Sequence, residues 1–422
     1  MLIRSGGSDT VPFMPSVVFV APFFLPTTLR FIDAVASLPG VSTGLVSQDP
    51  SDRLSPALRA RLAAHERVED ALDPERILAG TRALIPRIGP ISRVLGTLEE
   101  LQVPLGIVRE RLGVEGMGAE AARNFRDKSR MKTVLRAAGL PCARHRLCAA
   151  DADAWAFVRE IGYPVVAKPP AGAGSKNTFR IDDDAGLREC LAWMHPRAAQ
   201  PLLLEEFVVG EEFSFDTVSI KGRPVWHSIT RYFPGPLDVM RNPWIQWCVL
   251  LPREVDHPAF DDMKSVAYRS LDALGMGTGL CHMEWFRRKD GSVAVSEVGA
   301  RPPGAQITNL IAYAHDIDIW KAWAKLMVFD VFDPPERKFA SGIAFLRGQG
   351  SGRVIRVHGL DQAQKEMGHL VVEVSLPREG QSQASGYEGE GFVILRHPET
   401  SVVEKALQRV VSLVRVELGG AS

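Results

Sequence analysis

Two glutamates in the stretch "CHMEWFRRKDGSVAVSEVGA" (281–300) are the first candidates for chemistry. Strand-like runs flank Asp290-Gly291, a dipeptide that strongly indicates a two-residue hairpin loop. In that register Glu284 directly faces Glu297, with the Cβ atoms about 4.5–5.5 Å apart. Like charges so placed destabilise a sheet unless a cation lies between them, and Mg²⁺ and Mn²⁺ prefer oxygen ligands. The pair therefore predicts a site for one of these metals.

The alternative is a hairpin in another register with two solvated glutamates. Apolar pairs on both faces of the predicted hairpin favour the metal site over this alternative. The other pairs that the register predicts are His282–Gly299, Met283–Val298, Trp285–Ser296 and Phe286–Val295.

A basic helix is predicted within "RDKSRMKTVLRAAGLP" (126–141), with Asp127 as its N-cap. Its first turn carries Lys128, Arg130 and Lys132. The helix macrodipole favours cations at the other end, so their position indicates a nearby anion such as phosphate. A basic face exposed to solvent is the alternative, and it is the better one for this helix taken alone.

A second lysine stands beside a glycine-rich loop in "YPVVAKPPAGAGSKNTFRI" (163–181). A buried strand, Val165 to Lys168, leads into a loop that contains Gly172, Gly174 and Ser175. Glycines allow backbone N–H groups to surround phosphate oxygens. The loop is not a Walker A motif, because the GK[ST] ending is absent and the loop joins two strands. A merely flexible hairpin loop is the alternative.

A pair of acidic residues seven positions apart lies in "PLLLEEFVVGEEFSFDTV" (201–218). Glu205 and Glu212 flank the apolar Phe207-Val208. Carboxylates on either side of an apolar segment could bracket a nucleoside by hydrogen bonds to its amine and hydroxyl groups. Acidic residues at strand ends are common on any surface, so this signal is weak in isolation.

The segment "TRYFPGPLDVMRNPWIQWCVLLP" (230–252) predicts a long proline-bearing loop that borders a substrate. Arg231, Trp244 and Trp247, with Tyr232, are its candidate substrate contacts, and packing of the tryptophans in the core is an equally good alternative. Two further candidates for substrate contact are His282 and the loop residue Arg301.

The elements that position these residues fall into three regions. Residues 1–115 predict an open α/β domain with a strand at 16–20 and a helix at 28–38, and no GxGxxG follows the strand. Residues 116–335 mix strands with helices at about 259–274 and 305–328. Residues 336–422 are short strands closed by a helix at 401–414. The expected fold class is therefore α/β together with α+β.

Composition limits the kind of protein. The 50 basic and 50 acidic residues cancel, which gives no electrostatic reason to expect nucleic acid or a membrane as a partner. Five cysteines without CxxC spacing argue against disulfides or a zinc site and suit a reducing cytosol. Prolines at 12, 15, 22 and 26 interrupt the apolar N-terminal run. We therefore expect a soluble, cytoplasmic protein.

The order of Lys128, Lys168 with its GAGS loop, EEFVVGEE, Glu284 and ExGARPPG resembles the ATP-grasp superfamily over residues 116–335. Within it, the chain is most similar to L-amino-acid ligases and carnosine-synthase-like enzymes. The resemblance implies an ATP-grasp domain at 116–335 between an N-terminal pre-ATP-grasp domain at 1–115 and a β-rich domain at 336–422. It also implies an ATP-dependent carboxylate–amine ligase that forms an acyl phosphate, and a homodimer by analogy alone.

The resemblance also implies a role for each matched residue. Lys128, Lys168 and the loop with Gly172, Gly174 and Ser175 would hold the phosphates. Adenine would meet Glu205, Phe207 and Val208, and the ribose would meet Glu212. Mg²⁺ or Mn²⁺ would bind Glu284 and Glu297. Catalysis would involve Lys168 and Arg301, which would contact the transferring phosphoryl group or the substrate carboxylate of an amino acid.

The chain departs from the pattern at two positions. Gly299 stands where many members have a metal-binding Asn, and Asn177 stands where a glycine often ends the phosphate loop. The first departure gives weight to a nucleotide-binding regulatory protein with a degenerate site. A biotin-carboxylase-like enzyme is the other alternative, although the chain lacks the EHxVTE segment and the MKM motif of that group.

Overall fold

A computed structural model of the protein describes residues 14–172, 177–242 and 245–420. The chain divides into two compact units, of which the first comprises residues 1–119 and 320–332. The second comprises residues 120–319 and 333–422. The three-domain division with boundaries after 115 and 335 stays a prediction.

The first unit contains a four-stranded parallel sheet of order β3-β2-β1-β4. Every residue of its central strand β1 is buried, as is typical of parallel sheets with helices on both faces. The open α/β domain expected at the N-terminus is therefore confirmed. Its strands are β1 (Ser16–Ala21), β2 (Ser42–Ser47), β3 (Ala64–Arg67) and β4 (Ile91–Leu95), and its helices are α1 (Pro26–Ala36), α2 (Pro56–Arg61), α3 (Pro74–Ile88) and α4 (Gln102–Leu112).

The second unit begins with a four-stranded antiparallel sheet of order β5-β8-β6-β7. Its apolar core lies between the sheet and two of the helices that follow. The strands are β5 (His145–Cys148), β6 (Val165–Lys168), β7 (Phe179–Ile181) and β8 (Leu202–Glu206), and the helices are α5 (Ala119–Arg126), α6 (Lys128–Ala137), α7 (Asp151–Ile161) and α8 (Asp184–Met194).

An eight-stranded antiparallel sheet of order β13-β12-β9-β10-β11-β14-β18-β17 forms the larger part of the second unit. Its strands are β9 (Gly210–Ile220), β10 (Arg223–Phe233), β11 (Trp247–Leu251), β12 (Gly279–Arg288), β13 (Val293–Gly299), β14 (Ala340–Leu346), β17 (Val371–Ser375) and β18 (Gly391–His397). Because β14 pairs with β11, strands from the region 336–422 continue the same sheet. The expected β-rich character of this region is confirmed.

The remaining elements complete both units. A small three-stranded sheet of order β15-β19-β16 contains β15 (Gly348–Gln349), β16 (Arg353–His358) and β19 (Arg415–Gly419). The remaining helices are α9 (Pro236–Arg241), α10 (Asp261–Leu274), α11 (Ile307–His315), α12 (Ile319–Phe329), α13 (Leu360–Met367) and α14 (Thr400–Leu413). Within the part of the chain that is described, no helix has both the length and the hydropathy needed to cross a bilayer.

Two predicted elements were wrong in extent. The helix predicted over 305–328 is two helices, because Asp316 adopts a left-handed conformation (φ +59°) and the Ile317 N–H turns back to the carbonyl of Ala312 at 3.1 Å. The long loop predicted at 230–252 is largely regular structure. Arg231 and Tyr232 lie within strand β10 and Trp247 begins strand β11, because the pairing of the two strands continues to the last residue of β10.

The hairpin of β12 and β13 confirms that the two glutamates are paired, although its loop and its register differ from those predicted. Its loop has three residues, since the Arg288 N–H donates to the carbonyl of Ser292 at 2.8 Å. A β-bulge at Ser296 then adds one residue to β13 and restores the predicted register beyond it. The pairs Glu284–Glu297, Met283–Val298 and His282–Gly299 are confirmed, whereas Trp285 opposes Val295 and Phe286 opposes Ala294, contrary to prediction.

Candidate active site

One face of the large sheet gathers the acidic residues. Glu284 opposes Glu297 on β13 and Ser214 on β9, while His282 opposes Asp216. Because opposed residues share a face and the face alternates along a strand, Glu212 also lies on this face. The side chains of Glu284 and Glu297 are 29% and 25% exposed, so both remain accessible to a ligand.

Helix α6 brings two lysines to this face. The Asp127 carboxylate caps the helix by accepting the N–H groups of Ser129 and Arg130, both at 2.9 Å. Lys128 and Lys132 are four residues apart and therefore lie on the same side of the helix. The cap thus sets the start of the helix and with it the positions of both lysine side chains.

Lys128 connects the predicted metal carboxylates to the phosphate loop. Its Nζ lies 2.8 Å from Glu297 Oε1 and donates to the carbonyl of Gly172 at 2.8 Å. Burial raises the pKa of Glu297, but the positive charges of Lys128 and Lys168 outweigh burial and hold that pKa well below its ordinary value. Glu297 is therefore an anion before any ligand binds.

Lys168 and Lys132 share one carboxylate, that of Glu205. Glu205 Oε2 lies 3.0 Å from Lys168 Nζ, and Oε1 lies 3.4 Å from Lys132 Nζ. Burial raises the pKa of Glu205, but the two lysines outweigh burial and lower it. Oε1 accepts no hydrogen bond from the described residues.

The neighbours of Glu212 raise its pKa well above the ordinary value, first through burial and then through the charge of Glu284. This carboxyl group adjoins the turn before α9, where a Cβ built on Gly235 would lie 2.6 Å from Glu212 Oε2. Glycine at 235 is therefore needed for Glu212 to occupy this position.

His282 is held by a buried carboxylate. Its Nδ1 lies 2.7 Å from Asp216 Oδ1, and its Nε2 lies 3.7 Å from Glu284 Oε1. Burial lowers the pKa of His282, but Asp216 and Glu284 outweigh burial and raise it to about 9. His282 is thus positioned beside Glu284.

Arg301 lies in a turn that contains two residues with unusual backbone conformations. Ala305 (φ +51°) and Gln306 (φ +59°) are both left-handed, a conformation that is uncommon outside glycine and recurs at functional sites. The positive charge of Arg301 also contributes to the lowered pKa of Glu297. Its Nη1 donates to the carbonyl of Pro302 at 2.9 Å.

Sequence reasoning missed Tyr387, which the loop between β17 and β18 contributes. Its ring packs edge-on against Trp247 at 4.8 Å, and its hydroxyl lies 3.7 Å from a Cβ built on Gly304. Burial raises its pKa to about 12, helped by Glu388 and Glu284 and opposed by Arg301. No local motif marks this residue, because only the pairing of distant strands brings its loop to the site.

Of the predicted substrate contacts that the structure describes in the segment 230–252, Tyr232 and Trp247 stack with ring centroids 5.9 Å apart, whereas Arg231 lies on the other face of the sheet. Arg231 lies on the face opposite Glu284, where its Nη1 is 4.0 Å from Glu404 on α14, and its role as a substrate contact stays a prediction. Trp247 is 1% exposed and donates its indole N–H to Pro234 at 3.0 Å, which makes it a support behind Tyr387. Trp244 lies outside the described residues.

The predicted nucleotide contacts are only partly described. Gly174 and Ser175 lie outside the described residues, whereas the Gly172 carbonyl accepts a hydrogen bond from Lys128. The Phe207 N–H donates to Pro164 at 3.2 Å, and Val208 follows it at the end of β8. Asn177 has φ +54°, a left-handed conformation that asparagine tolerates and that a glycine there would also adopt. The roles of these residues in ATP binding stay predictions.

The paired glutamates suit a metal that arrives with a nucleotide. The described residues contain no group of three or more His, Cys, Asp or Glu side chains able to hold a metal alone. Mg²⁺ is, however, usually bound by one or two carboxylates together with phosphate oxygens and water. Glu284 and Glu297 supply such a pair on rigid strands, and Gly299 supplies no side-chain oxygen. The donor set fits Mg²⁺ bound together with phosphate.

Comparisons with known proteins agree with this geometry. Residues 133–310 match the ATP-grasp domain. The chain is 25% identical over 282 residues to the L-arginine-specific L-amino acid ligase of Bacillus subtilis, a match that covers 64% of this chain and 66% of that protein. It is 23% identical to the alanine–anticapsin ligase of Bacillus subtilis, a match that covers 62% of this chain and 59% of that protein. The matches thus span somewhat less than two thirds of either relative.

The fold is also that of a solved amino acid ligase. The L-amino acid ligase from Bacillus licheniformis superposes with a TM-score of 0.75 at 19% identity, covering 96% of this chain and 99% of that one. Residues 133–310 of the chain thus match the ATP-grasp domain, as the motifs of this region indicated.

Proposed function

We propose that the protein is an ATP-dependent carboxylate–amine ligase that joins small substrates, one of them an amino acid, and releases ADP and phosphate. The observation that carries the proposal is the ion pair of Lys128 with Glu297, directly opposite Glu284, together with the ion pair of Lys168 with Glu205. The amino acid ligases among the relatives support an amino acid as substrate.

The residues of the chain support phosphoryl transfer by position and charge. Lys128 and Lys168 would hold phosphate oxygens, and Glu284 with Glu297 would hold Mg²⁺. The metal would supply neutralisation of the phosphate charge. Arg301 would orient the substrate carboxylate, whose oxygen attacks the γ-phosphorus while ADP leaves. The amine nitrogen then attacks the acyl carbon, phosphate leaves and the nitrogen loses a proton.

The contacts of the ligand-free site are consistent with this role. Lys128 is paired with Glu297 at 2.8 Å, and Lys168 with Glu205 at 3.0 Å. Each carboxylate would hold an ammonium group in place until phosphate replaces the carboxylate as its partner. Tyr387, backed by Trp247, would border the acceptor substrate beside Arg301.

The test is phosphate release from ATP and Mg²⁺ in the presence of pools of amino acids. Release should require both a carboxylate and an amine and should be lost in Glu284→Gln. Glu211→Gln is the matched control, because Glu211 lies on β9 but is exposed and opposes Arg287 on the other face. Release that persists in Glu284→Gln would contradict the proposed role of the glutamate pair.

Phosphate release and ATP binding together separate the ligase from the biotin-carboxylase-like enzyme and from the regulatory protein. Turnover that depends on bicarbonate and not on amino acids would indicate the biotin-carboxylase-like reaction. ATP binding by calorimetry without turnover on any pool would indicate the regulatory protein with a degenerate site. Absence of ATP binding would refute all three.

A further inference from the structure

The bulge at Ser296 is what places the two glutamates opposite each other. On the loop side of the bulge Trp285 pairs with Val295, and on the other side Glu284 pairs with Glu297. Among the described residues β13 is the edge strand of the eight-stranded sheet, so no further strand of that sheet borders this irregular segment. A β-bulge leaves its extra residue outside the ladder and twists the strand locally. Some other part of the chain must therefore fix it.

Helix α6 and the residues after it cover this edge. The Val295 N–H donates to the carbonyl of Pro141 at 2.9 Å, and the Val298 N–H faces the sulfur of Met131 at 3.2 Å. Between these two contacts, Lys132 Nζ donates to the carbonyl of Ser296 itself. The contact made by the bulged residue is thus with an ammonium group, and it is charge-assisted.

Lys132 has a second contact in the other sheet. Its Nζ lies 3.4 Å from Glu205 Oε1 on β8, so one buried ammonium group joins the bulge of β13 to the strand that carries Glu205. The Lys132 side chain has no exposed surface, whereas the side chains of Lys128 and Lys168 are 7% and 11% exposed. Lys132 is therefore shielded from a ligand that the other two can contact.

We propose that Lys132 is a positioning residue that holds the Ser296 bulge and thereby keeps Glu297 in register with Glu284. Through its contact with Glu205, Lys132 also joins this pair of glutamates to strand β8. The inference rests on the proposed function only in taking the glutamate pair as the metal site. An ammonium group with no solvent contact is costly to leave unpaired, so the helix and both strands stay in one arrangement. Groups that orient metal ligands without touching the metal typically contribute 10–100-fold in metal affinity.

The first test needs no metal and no substrate. In Lys132→Met, hydrogen–deuterium exchange of the peptide that spans 293–299 should become faster in the metal-free protein, because the bulge loses its fixed contact. The control is Leu135→Ala, which removes a buried side chain from the same helix but leaves the contacts of Lys132. It should lower the melting temperature at least as much, without selective exchange at 293–299. Equal exchange in both variants would show that Lys132 only contributes to general stability.

The second test measures the metal directly. Mn²⁺ binding to the protein with saturating ADP, followed by electron paramagnetic resonance, should weaken about 10–100-fold in Lys132→Met. Lys132→Arg, which keeps a cation, should bind Mn²⁺ more tightly than the Met variant. Unchanged Mn²⁺ affinity with weaker ADP binding would overturn the proposal and assign Lys132 to the nucleotide. A wild-type protein that binds Mn²⁺ and ADP but ligates nothing would refute the proposed function while leaving this inference testable.

Discussion

The ion pair of Lys128 and Glu297 should be strong in the free protein and weak once nucleotide binds. The two charges lie 2.8 Å apart, with side chains 7% and 25% exposed. Coulomb's law with an effective dielectric constant of about 20 gives about 6 kcal/mol at this distance. Desolvation of both groups offsets most of that attraction, so a net coupling of about 2 kcal/mol is expected.

A double-mutant cycle measures this coupling. The variants are Lys128→Met, Glu297→Gln and the double variant, and the measured quantity is the free energy of unfolding in denaturant. Without ligand, the two single changes together should cost about 2 kcal/mol more than the double change. With saturating ADP and Mg²⁺ the coupling should fall towards the ~0.3–0.5 kcal/mol of independent sites, since Lys128 then binds phosphate and Glu297 binds the metal.

The surface pair Glu366–Arg409 provides the control for this cycle. Arg409 contacts both carboxylate oxygens of Glu366, at 2.7 and 2.8 Å, on helices remote from the glutamate face. Its coupling should be the same with and without nucleotide. A Lys128–Glu297 coupling near zero in the free protein, or one that nucleotide leaves unchanged, would refute the proposed exchange of partners.

Three further predictions follow from single contacts. Tyr387→Phe should lower kcat/KM for the amino acid about tenfold with little change in KM for ATP, because the hydroxyl that is proposed to border the acceptor substrate is lost. Tyr163→Phe serves as the remote control and should be unchanged. Burial, assisted by the charge of a neighbouring arginine, lowers the pKa of His315 from 6.5 to about 4, so wild-type stability should fall by up to about 3 kcal/mol as pH drops from 6.5 to 4. His315→Gln should lack this slope in unfolding curves, and an equal slope would exclude His315 as the cause. Gly342→Ala would place a Cβ 2.6 Å from Leu407 and should lower the stability of the protein in thermal unfolding by about 1–3 kcal/mol. The kcat of the variant should be unchanged. Unchanged stability would show that helix α14 adjusts to the added methyl group.

The hairpin of the glutamates shows how far local reasoning extends. The Asp290-Gly291 signal identified a hairpin and the opposed pair correctly, yet the loop has three residues and the strand has a bulge. The two differences shift the register in opposite senses and cancel at Glu284. The bulge itself could not be predicted, because its partner Lys132 lies more than 160 residues earlier in the chain.

The side of the sheet on which each residue of the segment 230–252 lies could not be predicted, for a related reason. Arg231 and Tyr232 are neighbours in sequence, but successive residues of a strand face opposite sides of the sheet. Only the register of β10 on β9 decides that Tyr232 shares the face of the glutamates and that Arg231 lies on the side of α14. Because the segment was predicted to be a loop, its residues could not be assigned to either face of the sheet.

The sequence by itself determined the local features of this protein. The Asp127 cap, the four-residue spacing of Lys128 and Lys132, the strand before the glycine loop and the hairpin of the glutamates all follow from interactions within a few residues. Only the tertiary structure decided which charged side chains form ion pairs with each other. The pairing of Lys128 with Glu297, the sharing of Glu205 by two lysines and the arrival of Tyr387 join segments far apart in the chain. Such contacts depend on the packing of whole sheets and helices, and a local motif does not predict that packing.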